Sequence, residues 1–249
     1  MTIETLLTPA ELPALAQRDL RGTACVVFDI LRATSTFVTA LHHGAAAIIP
    51  VSEITDAVAR RRQQPDVLLA GEREGVKIHA AQADGVDFDF GNSPREFSPE
   101  RVRGKTIVST TTNGTRALRA CAGAKTVLAA AFLNLAATAD FLRGEKEILL
   151  VCAGTGDSMA MEDVLAAGAL AELLAAGADA QPTLSAATET ARQSFTLAKA
   201  DIQMAIGQAQ NGRRLLALPE LRDDVAFCAG RDRYNLVAVM QADGSLRRQ

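Results

Sequence analysis

Tryptophan is absent from this chain, and tyrosine occurs once. Aromatic platforms on which bases could stack are therefore not expected. No basic excess makes up for them. The 26 lysines and arginines face 29 aspartates and glutamates, for a formal net charge of -3. That balance argues against a nucleic-acid partner. Nowhere do about 18 apolar residues run together, so no membrane-spanning helix is expected. The Ala-rich stretch 164–178 comes closest, and Gly168, Glu172 and Gly177 interrupt it. Residues 1–22 lack a basic start followed by an apolar run, so no secretory signal is read there.

Other catalytic signatures are missing too. The four cysteines, Cys25, Cys121, Cys152 and Cys228, form no Cys-x-x-Cys pair and lie in apolar surroundings. They read as buried thiols of a reducing, cytoplasmic compartment. None opens the Cys-x5-Arg loop of a thiol phosphatase. The three histidines, His42, His43 and His79, lack zinc-ligand spacing. Asp29 is followed two places on by Leu31, which breaks an Asp-x-Asp pattern. No Gly-x-Ser-x-Gly elbow occurs.

What is present is a regular alternation. Short apolar runs at 24–31, 46–51, 67–70, 106–109, 126–130 and 147–151 read as strands. Helical patterns at 34–42, 54–64, 115–121, 134–142 and 161–176 separate them. The runs lack strict period-two alternation, which suits strands buried on both faces. The order predicts βαβ units in one domain spanning 1–249, built as a three-layer α/β/α sandwich around a mainly parallel sheet. The first 20 or so residues are expected at its periphery. Residues 71–104 form a long irregular stretch, which inside a compact domain points to function or disorder. Further on, the pattern predicts one helix over 186–210, a turn at Asn211-Gly212, and strands at 224–228 and 235–241.

Three predicted strands end in polar turns that run straight into helices. In a parallel sheet such turns share one edge, where ligands bind. In the first, Asp29 stands near a strand end and Arg32 follows within one turn. A buried Asp29–Arg32 bridge would satisfy both. The functional alternative makes Asp29 a metal ligand or nucleophile and puts Arg32 on an anionic substrate. In the second, Ser109-Thr110-Thr111-Thr112-Asn113-Gly114-Thr115 offers hydroxyls, an amide and a helix start, a combination suited to phosphate. In the third, Cys152-Ala153-Gly154-Thr155-Gly156 precedes Glu162 and Asp163. Neighbouring helical residues diverge by about 100°, so one metal ligand is expected of these two acids. The stretch 70–75 adds Glu72 and Arg73. With Asp29, Glu72 would supply hard oxygen ligands of the kind that favour Mg²⁺.

Together these segments resemble the 2-phosphosulfolactate phosphatase family. The matching stretches are Phe28 to Thr36, Leu69 to Arg73, Gly91-Asn92-Ser93-Pro94, Thr110 to Thr115, Cys152 to Thr155, and Glu162-Asp163-Val164. The resemblance implies an Mg²⁺-dependent phosphatase that converts 2-phosphosulfolactate to sulfolactate, a step towards coenzyme M in archaeal members. On this reading Asp29, Glu72 and one of Glu162 or Asp163 hold the metal. Thr111, Thr112, Asn113 and Thr155 donate to the phosphoryl group, beside Gly114, Asn92 and Ser93. Arg32 and Arg73 bind the remaining anionic groups. Two other classes stay open. The turn at 151–156 superficially resembles that of a nucleotide- or S-adenosylmethionine-using transferase, although a full G-x-G-x-x-G and a P-loop lysine are both missing. A non-catalytic anion-binding module would use the same loops. An aliphatic surface on the Ala-rich helices would suit a homodimer.

Overall fold

The computed structural model describes residues 1–178 and 180–249. Their strands are β1 (Thr2–Leu6), β2 (Thr23–Phe28), β3 (Ala47–Pro50), β4 (Leu68–Arg73), β5 (Val76–Lys77), β6 (Thr106–Thr110), β7 (Thr126–Ala130), β8 (Glu147–Cys152), β9 (Thr183–Leu184), β10 (Ala238–Met240) and β11 (Leu246–Arg248). The helices are α1 (Leu12–Leu15), α2 (Ala33–His42), α3 (Ile54–Gln63), α4 (Pro99–Val102), α5 (Gly114–Ala120), α6 (Leu135–Phe141), α7 (Met161–Ala176), α8 (Ala186–Ala198), α9 (Ile202–Gln208), α10 (Gln210–Leu216) and α11 (Arg222–Cys228).

All strands join one sheet in the order β5-β4-β6-β3-β11-β10-β7-β2-β8-β1-β9. Its two wings are parallel: β4, β6 and β3 on one side, and β7, β2, β8, β1 and β9 on the other. The antiparallel hairpin β10–β11 joins them, pairing with β7 and β3. Every residue of β2 is buried. Both faces of the sheet centre are thus covered by helices, as the unalternating apolar run requires. This is the expected α/β sandwich.

Of the first 20 or so residues, β1 enters the sheet. β1 is inserted between β8 and β9, inside the sheet although near its edge. The aliphatic surface expected to support a dimer is also used within the chain. Val164 to Ala171 and Leu174 of α7 are all buried. No described helix is long and apolar enough to cross a membrane.

The C-terminal region departs furthest. In place of one helix over 186–210 there are α8, α9 and α10. Asp201 restarts the chain by accepting the Met204 N–H as an N-cap. Asn211-Gly212 is no turn but part of α10. Gly212 lets that helix fold back onto α9, since a Cβ there would stand 1.9 Å from the Ile206 carbonyl oxygen. The stretch 224–228 is helical, with Asp224, Val225 and Cys228 on its buried side. That spacing fits a helix as well as a short apolar strand, which explains the misreading. Of 235–241, only Ala238–Met240 pairs as strand.

Candidate active site

The carboxyl ends of β2, β4, β6 and β8 open into a cleft of about 190 Å³. Asp29, Glu72, Thr112, Asn113, Thr155 and Gly156 line it from the sheet side, and Arg32 and Asn92 also face it. The opposite wall is α10 and the turn beyond it: Asn211, Arg214, Leu215 and Leu218. Asn211, Arg214 and Leu215, three and four residues apart, lie on one face of α10, and Leu218 follows in the turn.

Asp29 follows directly after β2, one place beyond the strand end. Its Oδ1 accepts the Ala33 N–H at 3.2 Å, and its own N–H is held by Thr34 Oγ1 at 3.0 Å. Ser35 Oγ and Thr36 Oγ1 donate to the carbonyls of Ile30 and Asn92. These hydroxyls therefore shape the turn and tie it to the 90s loop. Gly114 brings the start of α5 against the carboxylate, where a Cβ would meet Asp29 Oδ2 at 2.7 Å. Burial pushes the Asp29 carboxyl up to about 7, and the charges of Glu72 and Glu162 push the same way. The Ala33 and Gly114 amides oppose them.

Glu72 is held firmly. Its Oε1 accepts from the Thr112 N–H at 3.0 Å and the Thr112 hydroxyl at 3.1 Å, and its Oε2 accepts the Gly75 N–H at 2.7 Å. Thr112 is thus a donor to Glu72, and its proton does not point at a ligand. Thr111 is buried; its Oγ1 accepts the Thr115 N–H and its carbonyl accepts the Thr115 hydroxyl, so it builds the turn. Asn113 makes no capping bond to α5 and faces the cleft.

The two acids that open α7 diverge in role. Asp163 accepts the Ile30 N–H at 2.8 Å and the Gly154 N–H at 3.0 Å, one on each oxygen. It pins two active-site turns together. Glu162 accepts Asn211 Nδ2 at 2.7 Å on Oε1, while its Oε2 is buried with no partner. Burial raises the proton affinity of both acids; neighbouring Asp29 and Glu162 add to it at Asp163, and the Asn211 bond opposes it at Glu162. Among the described residues, no three His, Cys, Asp or Glu side chains gather closely enough to hold an ion unaided. The same Asn211 Nδ2 lies 2.6 Å from Thr155 Oγ1.

The arginines correct the sequence reading. Arg32 does not pair with Asp29. Its Nη1 donates to Asp224 and its Nη2 to the Gly75 carbonyl, both at 2.8 Å. Asp224, fully buried, also receives Ser93 Oγ and Arg95 Nε, each at 2.7 Å. Arg32 is therefore a strut between three loops, and Ser93 belongs to the same knot. Arg73 is absent from the cleft wall. It donates to the carbonyls of Glu72 and Ser52 and to Thr110 Oγ1.

A model of the 2-phosphosulpholactate phosphatase family matches residues 7–243. The chain belongs to that family, and with it to the phosphoric monoester hydrolases. A probable 2-phosphosulfolactate phosphatase of Caldanaerobacter subterraneus subsp. tengcongensis is 38% identical over 229 residues, 90% of each chain. A protein of the same description from Thermotoga petrophila is 38% identical over 215 residues, 86% of this chain and 88% of the other. One from Caldicellulosiruptor saccharolyticus is 42% identical over 160 residues, covering 62% and 63%.

Family membership agrees with the geometry against the transferase alternative. The Gly154 amide that a cofactor pyrophosphate would need is already bonded to Asp163. The cleft is also smaller than the roughly 300–1,000 Å³ usual for pockets of drug-sized ligands. Sequence reasoning missed Asp224, Asn211, Arg214, Leu215 and Leu218. Asn211, Arg214 and Leu215 carried a signal in their helical spacing, hidden by the expectation of a turn at Asn211-Gly212.

Proposed function

We propose that this cleft hydrolyses the phosphate ester of a small hydroxy acid, with 2-phosphosulfolactate as substrate, phosphate and sulfolactate as products, and Mg²⁺ as cofactor. The observation that carries the reading is the pair Asp29 and Glu72 lining a small cleft, with Glu162 on α7 close enough to act on the Asp29 carboxyl and, among the described residues, one buried oxygen of Glu162 without a partner. Carboxylates so placed repel one another and attract a hard divalent ion. Asp29 and Glu162 would hold that ion, while Glu72, already accepting three hydrogen bonds, adds its charge nearby. Asp163 stays off it because backbone amides occupy both its oxygens. Two or three protein ligands suit Mg²⁺, which keeps water and substrate oxygens in its remaining positions. When bound, it neutralises developing charge on the phosphoryl group.

The chain's own donors complete the site. Asn211 donates to Thr155 Oγ1, which leaves the Thr155 hydroxyl proton free to point into the cleft. The Asn113 amide reaches the same space. Both fit the equatorial phosphoryl oxygens, whose charge grows in the transition state. Asp29 faces phosphorus either as the attacking group or as the base that aligns water. A burst and a trappable aspartyl phosphate mark the first route, and their absence marks the second. The four buried, free cysteines are compatible with a reducing compartment, which supports reading the enzyme as cytoplasmic.

The test is phosphate release from 2-phosphosulfolactate by purified protein, with Mg²⁺ or with a chelator. Release that needs the metal and disappears in folded Asp29→Asn and Glu162→Gln variants is expected. Release that persists in chelator would remove the metal, and no release from any small phospho-acid would remove the phosphatase reading.

A further inference from the structure

The cleft contains two cations, and they are not equivalent. Arg32 is 3% exposed and paired with Asp224. Its charge is neutralised before any ligand arrives. Arg214, on α10, is exposed, and among the described residues no carboxylate pairs with it. Its Nη2 donates to the carbonyl of Glu74, across the mouth of the cleft. Gly75, beside that carbonyl, turns the chain with a positive φ of 81°, and the guanidinium lies in ordinary contact with it. Arg73, the other candidate for an anionic tail, lies outside the cleft wall.

We infer that Arg214 is the specificity residue that reads the anionic group at the end of the substrate remote from phosphate. The inference rests on the phosphatase reading above. The phosphoryl group occupies the sheet side, against Asn113, Thr155 and the carboxylates. The terminal sulfonate then extends towards α10. There the Arg214 guanidinium exchanges its bond to a neutral carbonyl for a charge-assisted pair with the anion, which is the stronger interaction. Asp29, Glu72 and Glu74 all line the cleft, so a tail placed without Arg214 would meet like charge. Leu215 of α10 and Leu218 of the turn beyond it line the cleft beside Arg214 and exclude water from one side of that pair.

The decisive comparison is 2-phosphosulfolactate against 2-phospholactate, which keeps the phosphate and carboxylate but ends in a methyl group. In the wild-type protein kcat/KM is expected to favour the sulfonate. Arg214→Ala should shrink that ratio on the order of 10- to 100-fold, the scale of losing a hydrogen bond to a charged group. Arg214→Lys should restore part of it, because it keeps charge without the planar fork. Arg214→Glu should push the ratio below that of the alanine variant. An unchanged ratio in Arg214→Ala overturns the inference while leaving the phosphatase intact. If the wild type hydrolyses neither ester, the phosphatase reading fails on its own. Calorimetric titration with sulfolactate then decides: binding weakened about tenfold or more in Arg214→Ala supports the inference, and equal binding overturns it.

Discussion

The strand-end turns and the C-terminal helical arm build the two walls of one cleft, yet they are made in different ways. The turns take much of their shape locally, since Asp29, Thr34, Ser35, Thr111 and Thr115 bond to backbone within five residues in sequence, with Asp163 and Glu72 adding longer ties. The arm is held at a distance. Asp224 reaches Arg32 across 192 positions and Ser93 across 131, and Asn211 reaches Glu162 across 49. Local geometry fixes where the chemistry sits. Long-range pairs fix what closes over it. Substitutions on the two walls should therefore fail differently.

The largest effect is expected at Asp29, where function and stability oppose each other. Asp29→Asn should lower turnover by about 10³-fold or more, the scale for removing a reacting group. The same change should raise the melting temperature of the metal-free protein, because it removes a costly buried charge. The pH dependence gives the sign. Folding raises the Asp29 carboxyl to about 7 from its ordinary 3.8. The folded chain then binds the proton more tightly than the unfolded chain does. Stability from this group is complete at low pH and is lost as pH rises from about 4 through 7. Thermal melts in chelator should show that decline in the wild type and a shallower one in Asp29→Asn. Glu162 and Asp163, also shifted upward, keep the slope from vanishing. A wild-type melting temperature that is flat over this range would remove the buried charge cluster from the account.

Asp224 should behave in the opposite way. It touches the cleft only through Arg32, and its removal strands a buried guanidinium. Asp224→Ala is expected to cost about 3–5 kcal/mol of stability, the range for breaking a buried pair from one side. Urea unfolding measures it. A loss below about 1 kcal/mol, the range of exposed pairs, would mean that solvent reaches Arg32 and that the arm closes less tightly.

The same division decides what could be read from sequence. Asp29 at a strand end, the hydroxyls of 109–115 and the glycines of 152–156 are local signals. Of these stretches, Asp29, Thr112, Asn113, Thr155 and Gly156 line the cleft. Their individual duties were less legible. Whether Thr111 donates to a ligand or to Thr115 depends on a few ångströms of geometry, not on residue type. Glu162 and Asp163 are adjacent acids in one helical turn, and only the tertiary positions of Ile30, Gly154 and Asn211 separate them. Arg32 reads from sequence either as a partner for Asp29 or as a ligand of the substrate's anionic group, and in the structure it is neither: it pairs with Asp224. Its actual partner lies in a helix that the apolar pattern had turned into a strand.

Asn211 is where the two walls meet, so it offers the finest test. Its amide bonds both Thr155 and Glu162. Asn211→Ala should lower activity about 10- to 100-fold, as for groups that orient a ligand from behind. The half-saturating Mg²⁺ concentration should rise with it, which a loss of packing alone would not produce.

A double-mutant cycle then asks whether arm and turn act as one unit. Asn211→Ala frees the Thr155 hydroxyl to rotate, and Thr155→Val removes it while keeping its shape. If Asn211 acts by aiming that hydroxyl at the phosphoryl group, the second change should cost less once the first is made. The coupling should fall between about 0.5 and 3 kcal/mol in kcat/KM, the range for residues in direct contact. Additive effects would confine Asn211 to Glu162 and leave Thr155 oriented by its own turn, where Thr155 and Ser158 exchange backbone hydrogen bonds at 2.9 and 3.0 Å. The sheet-side wall would then be self-sufficient for phosphate, and the arm would act through the carboxylate alone.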